Sequence, residues 1–84
     1  MFVHGSTKTE LDLYIINKVK QLRLDTGMSQ AVLAIKLEVS DAFIGAIENP
    51  KHKAKYNVNH INKLAQIFEC SPKDFLPEKP IISK

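Results

Sequence analysis

The stretch that decides the fold runs Ser29-Gln30-Ala31-Val32-Leu33-Ala34-Ile35-Lys36-Leu37-Glu38-Val39-Ser40-Asp41-Ala42-Phe43-Ile44-Gly45-Ala46-Ile47-Glu48. Leu33, Ala34 and Leu37 fall on one face of a short helix. Phe43, Ile44 and Ile47 are the apolar positions of a second. Ser29 and Ser40 stand where each helix starts, and serine at that position accepts from a first-turn N–H. Glu38-Val39 intervenes as the turn. The small side chain of Ala34 lets the second helix cross closely. Val39, Ile44 and Ile47 then close a shared core. Two short helices joined by a turn of about three to four residues have the geometry of a helix-turn-helix.

The flanks add helices on both sides. Upstream, Thr9 caps a helix with Asp12 completing a capping box and Glu10 in the favourable first turn. Leu11, Ile15, Val19 and Leu22 form its stripe, widened by Ile16, and Gly27 ends it. Downstream, Asn49-Pro50 stops the helix that begins at Ser40, because proline cannot continue the hydrogen-bond ladder. Lys51, His52, Lys53 and Lys55 make a basic loop. Asn57 caps a fourth helix with the stripe Val58, Ile61, Leu64, Ala65 and Phe68. Ser71-Pro72-Lys73-Asp74 starts a final single turn carrying Phe75 and Leu76. Phe68, Phe75 and Leu76 are expected in the core. The pattern predicts an all-α domain over 10–77, a loose N-terminal tail over 1–9 and a C-terminal tail over 78–84.

The chain has 84 residues, which suits one small domain. Hydrophobic residues make up 44% and charged residues 25%, a balance that supports a folded core. Twelve Lys and Arg against nine Asp and Glu give a net charge of +3, compatible with nucleic acid but not diagnostic of it. A chain this short leaves little room for a catalytic pocket. It carries no glycine-rich phosphate loop, no Ser/His/Asp order and no carboxylate pair, so no enzyme is expected. Cys70 is the single cysteine, which excludes an internal disulfide and a multi-cysteine zinc site. His4, His52 and His60 lack ligand spacing, so neither metal nor cofactor is expected. No apolar run is long enough for a membrane span. The first residues lack the charged start and apolar stretch of a secretory signal, and a cytoplasmic location is expected. No sensor domain or small-molecule effector site is evident.

Residues 15–76 resemble the Cro/repressor-type, or Xre-like, helix-turn-helix DNA-binding domains. The resemblance rests on Val19-Lys20-Gln21-Leu22-Arg23, Gly27-Met28-Ser29-Gln30, Leu33-Ala34, Leu37-Glu38-Val39-Ser40, Phe43-Ile44 and Ile47-Glu48-Asn49. Leu64-Ala65-Gln66-Ile67-Phe68 and Ser71-Pro72-Lys73-Asp74-Phe75 extend it. It implies a compact, five-helix, lambda-repressor-like domain whose second helix crosses the phosphate backbone and whose third lies in the major groove. By the same resemblance Gln30 contacts phosphate. Ser40, Asp41, Ala42 and Phe43 read bases, with Ala46 one turn later, and Ser40 also helps to hold the backbone. Lys51, His52 and Lys53 follow the phosphate track. Arg23 and Glu48 match a partly buried structural ion pair. Such proteins are bacterial or phage regulators that bind palindromic double-stranded operators as dimers, which places this one on the nucleoid. The residues support the loop independently. Lys51, Lys53 and Lys55 gather charge beside a helix end, although a plain solvated loop has the same composition.

Three departures from the family pattern matter. Glu38 stands where the turn usually has glycine, at a position that often needs a left-handed backbone. Glutamate there costs about 1 kcal/mol, or the turn differs. Asp41, Ala42, Gly45 and Ala46 include none of the Arg, Lys, Asn or Gln side chains that make bidentate base contacts. Asp41 can accept from a cytosine amino group, or it simply favours the helix dipole; Ala42, Phe43 and Ala46 can touch thymine methyls. Finally, the loop after the third helix is longer than usual by about two residues, with Pro50 in place of glycine. Two functions therefore follow: sequence-specific double-stranded DNA binding by a transcriptional regulator, or a protein-interaction module on the same fold, such as an antitoxin or a subunit of a larger complex. The apolar tail residues Ile81 and Ile82 support either a homodimer or a crystal contact.

Overall fold

The computed structural model describes residues 8–82. Its elements are α1 (Glu10–Asp25), α2 (Gln30–Leu37), α3 (Asp41–Glu48), α4 (Val58–Phe68) and a 3-10 turn at Pro72–Phe75. Each start uses the expected cap. Thr9 and Asp12 bond reciprocally at 3.1 and 2.8 Å. The Ser29 hydroxyl accepts from the Val32 N–H at 3.1 Å and that of Ser40 from the Phe43 N–H at 3.0 Å. Asn57 Oδ1 accepts from the His60 N–H at 2.8 Å, while His60 Nδ1 accepts from the Asn57 N–H at 3.0 Å. These bonds satisfy donors that the first helical turn leaves without an intrahelical partner.

Three helix ends share one geometry. Gly27, Glu38 and Glu69 adopt left-handed backbone at φ of 71°, 64° and 56°. The next N–H in each case reaches back to close the last turn: Met28 to Arg23, Val39 to Ala34 and Cys70 to Ala65, all at 2.9 Å. The turn between α2 and α3 therefore keeps the left-handed residue and places a glutamate in it. The Cβ penalty of about 1–2 kcal/mol is carried by the rest of the fold.

The core contains Ile16 and Val19 of α1, Leu33, Ala34 and Leu37 of α2, and Ile44 and Ile47 of α3. Leu64 and Ala65 of α4, Tyr56 of the preceding loop and Phe75 of the 3-10 turn complete it. Ala34 is 2% exposed at the α2–α3 crossing, as its small side chain predicts. Val39 packs against the core from the turn.

Several expectations need correction. The fifth helix is one 3-10 turn, because Pro72 and Pro77 bracket too few residues for an α-helical ladder. The buried line of α1 is Ile16, Val19 and Arg23. Leu11 is exposed, and Ile15 and Leu22 are half-buried. Val58, expected inside, opens α4 and is 84% exposed. Leu76, which follows the 3-10 turn in extended backbone, is exposed. Leu11, Ile15, Val58, Ile61 and Leu76 instead line an open apolar groove between α1, α4 and the 3-10 turn. Lys8 and Thr9, assigned to the tail, are bonded to the domain. His4 and the rest of 1–7 lie outside the described residues. No described helix is long and apolar enough to cross a membrane.

Candidate nucleic-acid interface

The packing of α2 against α3 leaves one side of the pair outward. Ser29, Gln30 and Ala31 at the start of α2 face Asp41, Ala42 and Gly45 of α3 across a shallow cleft, with Arg23 at its base. Ser40, Asp41 and Ala42 are exposed, and Ala46 is half-buried. Phe43 is set differently from the other proposed base-reading residues. Its ring packs on the core and lies 5.7 Å from the His60 ring at 56°. Spacing put Phe43 both in the core and on the outer face; the structure gives it mainly to the core.

Beneath the cleft is a buried polar node. Arg23 Nε donates to Glu48 Oε2 and Arg23 Nη2 to Glu48 Oε1, both at 2.9 Å. The two side chains are 8% and 4% exposed. Arg23 Nη1 donates to the Met28 carbonyl at 2.8 Å. Gln30 Nε2 donates to Glu48 Oε1 at 2.9 Å. The node ties the end of α1, the start of α2 and the end of α3 together with charge-assisted bonds. The Arg23–Glu48 pair stands as the resemblance implied. The bond from Gln30 was not anticipated: its side-chain amide is held by Glu48 within the node.

The loop after α3 is built rather than slack. Asn49 Oδ1 accepts from the Lys51 N–H at 3.0 Å, and the Asn49 carbonyl from the His52 N–H at 3.0 Å. Pro50 occupies the second position of that turn, where its fixed φ is favourable. His52 Nδ1 accepts from the Ala54 N–H at 3.0 Å. Lys51, His52 and Lys53 are exposed. Lys55 is engaged: its ammonium lies 3.0 Å from Asp12 Oδ2. Burial raises the Asp12 pKa, but the bonds from Thr9 and Lys55 outweigh that effect and hold the carboxyl below its ordinary range. Buried Tyr56 anchors the far end of the loop, a core residue that the apolar stripes did not reveal.

Lys8 is the other residue that spacing missed. Its ammonium donates to the Ile47 carbonyl at 2.7 Å and the Asn49 carbonyl at 2.6 Å, with Ala46 at 3.4 Å. A cation at these carbonyls complements the negative end of the α3 dipole. No local sequence signal pairs a residue ahead of the first helix with the end of the third. Among the described residues no cluster of His, Cys, Asp and Glu is arranged to hold a metal ion.

Family comparison places this architecture. Residues 18–77 match the model of the Cro/C1-type HTH DNA-binding domain, and the chain belongs to that family. It is a DNA-binding domain of the regulator type. Comparison with curated proteins finds no match. Among solved structures, the hypothetical transcription factor NHTF from Neisseria is similar with a TM-score of 0.69 at 19% identity, over 81% of this chain and 76% of that one. An HTH_3 family transcriptional regulator from Vibrio cholerae is similar at TM-score 0.65 and 29% identity, over 77% of this chain and 35% of that one. This chain thus spans about a third of the Vibrio protein. SinR, described as the master regulator for biofilm formation and solved in complex with DNA, is similar at TM-score 0.62 and 23% identity, over 73% of this chain and 95% of that one.

Proposed function

We propose that the domain binds double-stranded DNA sequence-selectively as a bacterial or phage transcription regulator. In this reading α3 enters the major groove and works on the nucleoid of the cell. The observation that carries it is the outward α2–α3 face, with Ser40, Asp41 and Ala42 exposed, followed in the chain by the exposed basic residues Lys51, His52 and Lys53. Ser40, Asp41, Ala42 and Ala46 are the groove-facing set, and Phe43 acts mainly by seating α3. Short side chains permit close approach to base edges, thymine methyls being the matching partners. Gln30, Ser40, Lys51, His52 and Lys53 hold the backbone. Lys55 contributes only if its bond to Asp12 opens. That SinR was solved with DNA supports the assignment by analogy of fold.

Two-fold operators call for two copies. The apolar groove of Leu11, Val58 and Leu76 shares no lining residue with the α2–α3 cleft, so a second copy seated there leaves both reading faces free. Ile82, 84% exposed, adds apolar surface near the end of the described chain.

The test is selection from random duplex pools at two salt concentrations, using the wild type and a Lys51→Ala/Lys53→Ala variant. The expected result is an enriched palindrome and a salt slope lower by about 0.9 for each lysine removed from a phosphate. Failure to bind any duplex at low salt would shift the function to the second reading, a protein-docking module such as an antitoxin or complex subunit. Asp41 at the head of α3 favours that reading, together with the exposed Val32 and Ile35 on α2.

A further inference from the structure

The basic loop is held at both ends by one short piece of chain. At the near end, Lys8 donates to the Ile47 and Asn49 carbonyls at 2.7 and 2.6 Å. These lie where α3 leaves its last carbonyls without intrahelical donors. At the far end, Asp12 Oδ2 accepts from Lys55 Nζ at 3.0 Å. The same oxygen accepts from the Thr9 N–H at 2.8 Å, so the α1 capping box fixes the carboxylate that fixes the loop. Between the two anchors, the bonds within Asn49–Ala54 set the path of the backbone that carries Lys51 and Lys53. Both anchoring residues precede the 18–77 span that matches the family model.

We propose that Lys8 and Asp12 are positioning residues for DNA binding, clamping the end of α3 and the far end of the basic loop to the start of α1 so that Lys51 and Lys53 meet the phosphate track. This rests on the DNA-binding reading above. The nine residues between α3 and α4 would lose more conformational entropy on binding if they were slack. Anchoring them in the free protein removes that cost from the binding step. Neither Lys8 nor Asp12 needs to touch DNA.

The experiment compares the full-length wild type with Lys8→Met, Lys8→Arg and Asp12→Asn, using a mixed-sequence duplex at two salt concentrations. Amide exchange is followed in 46–56 and, as the internal control, in 30–37. Lys8→Met is expected to speed exchange in 46–56 while leaving 30–37 unchanged. Its salt slope should fall by about 0.9 to 1.8, as one or both lysines leave the track. Lys8→Arg, which keeps the cation and its donors, should restore the slope; a purely stabilising role predicts no change in slope at all. Asp12→Asn retains an amide oxygen for the Thr9 N–H and should show a smaller change of the same sign, which keeps the test decisive if Lys8→Met does not fold. Wild-type binding accompanied by unchanged slope and exchange in Lys8→Met and Asp12→Asn would overturn the clamp alone. A wild type that binds no duplex would overturn the DNA reading and the clamp with it.

Discussion

Replacing Glu48 by alanine should remove a large part of the domain's stability. The carboxylate accepts two bonds from Arg23 and one from Gln30, all at 2.9 Å. Its side chain is 4% exposed and that of Arg23 is 8%. The substitution leaves the Arg23 guanidinium buried with the Met28 carbonyl as its remaining acceptor. Stranding a buried charge costs about 3–5 kcal/mol. A domain of this size has a total stability of about 4–12 kcal/mol. At roughly 4–8 °C per kcal/mol, Tm should fall by roughly 10–40 °C. Thermal unfolding followed by circular dichroism reads this directly. A control separates stranding from simple loss: the double variant Arg23→Met/Glu48→Leu, which replaces the pair with apolar groups, should lie much closer to the wild type than Glu48→Ala does. A Glu48→Ala protein melting within about 3 °C of the wild type would refute the reasoning, because on this scale it corresponds to less than about 1 kcal/mol.

Glu38→Gly should raise Tm by relieving a left-handed glutamate worth about 1–2 kcal/mol, less what is lost from the exposed Lys63 pair; a lower Tm would mean that the ion pair outweighs the backbone strain. Tyr56→Phe should leave Tm unchanged or raise it, since among the described residues the buried hydroxyl has no hydrogen-bond partner; a clear loss of stability would reveal a partner for that oxygen. Burial, and then the charge of Glu48, push the phenol pKa upward against the pull of Arg23, so Tyr56 should not ionise in an alkaline spectrophotometric titration before the domain unfolds. His60 titrates in the opposite sense to a paired histidine: burial lowers its folded pKa, so the stability it contributes is present above its unfolded value of about 6.5 and lost as pH falls through the folded value. His60→Gln keeps a capping-box acceptor without the titration, and should flatten that part of the Tm–pH curve.

What the sequence made legible was the local chemistry. Thr9, Ser29, Ser40, Asn57 and Ser71 cap the helices that they were expected to cap, because an N-cap is a contact between residues close in sequence. Leu33, Ala34, Leu37, Ile44 and Ile47 are buried as their periodicity predicts. Periodicity failed at the ends of elements. Val58 and Leu11 sit in first turns and satisfy the period, but the groove beside them is left open. Phe43 packs on the core as its periodicity predicts, beside the His60 ring of α4; its second assignment, to the outer face, is the one that the packing disfavours. In the candidate interface, Ser40, Asp41 and Ala42 lie outward as expected, whereas Gln30 and Lys55 have internal partners. Those partners are 18 and 43 residues away in the chain, beyond any local pattern.

On the proposed DNA-binding reading, a division of labour would account for the composition of α3. A reading helix without Arg, Lys, Asn or Gln cannot supply both affinity and bidentate base recognition from its own surface. The exposed Lys51 and Lys53 lie outside the helix, so that reading gives the electrostatic part of binding and its dependence on salt to the loop. On the same reading, small residues on α3 would leave selectivity to methyl contact and groove shape, both of which depend on how closely and at what angle the helix sits. That angle is fixed from beneath by Arg23, Gln30 and Glu48, and at the helix end by Lys8. A surface that makes few directional contacts must rely on a rigid mount, and the buried charges here are concentrated at that mount rather than on the face that would meet DNA.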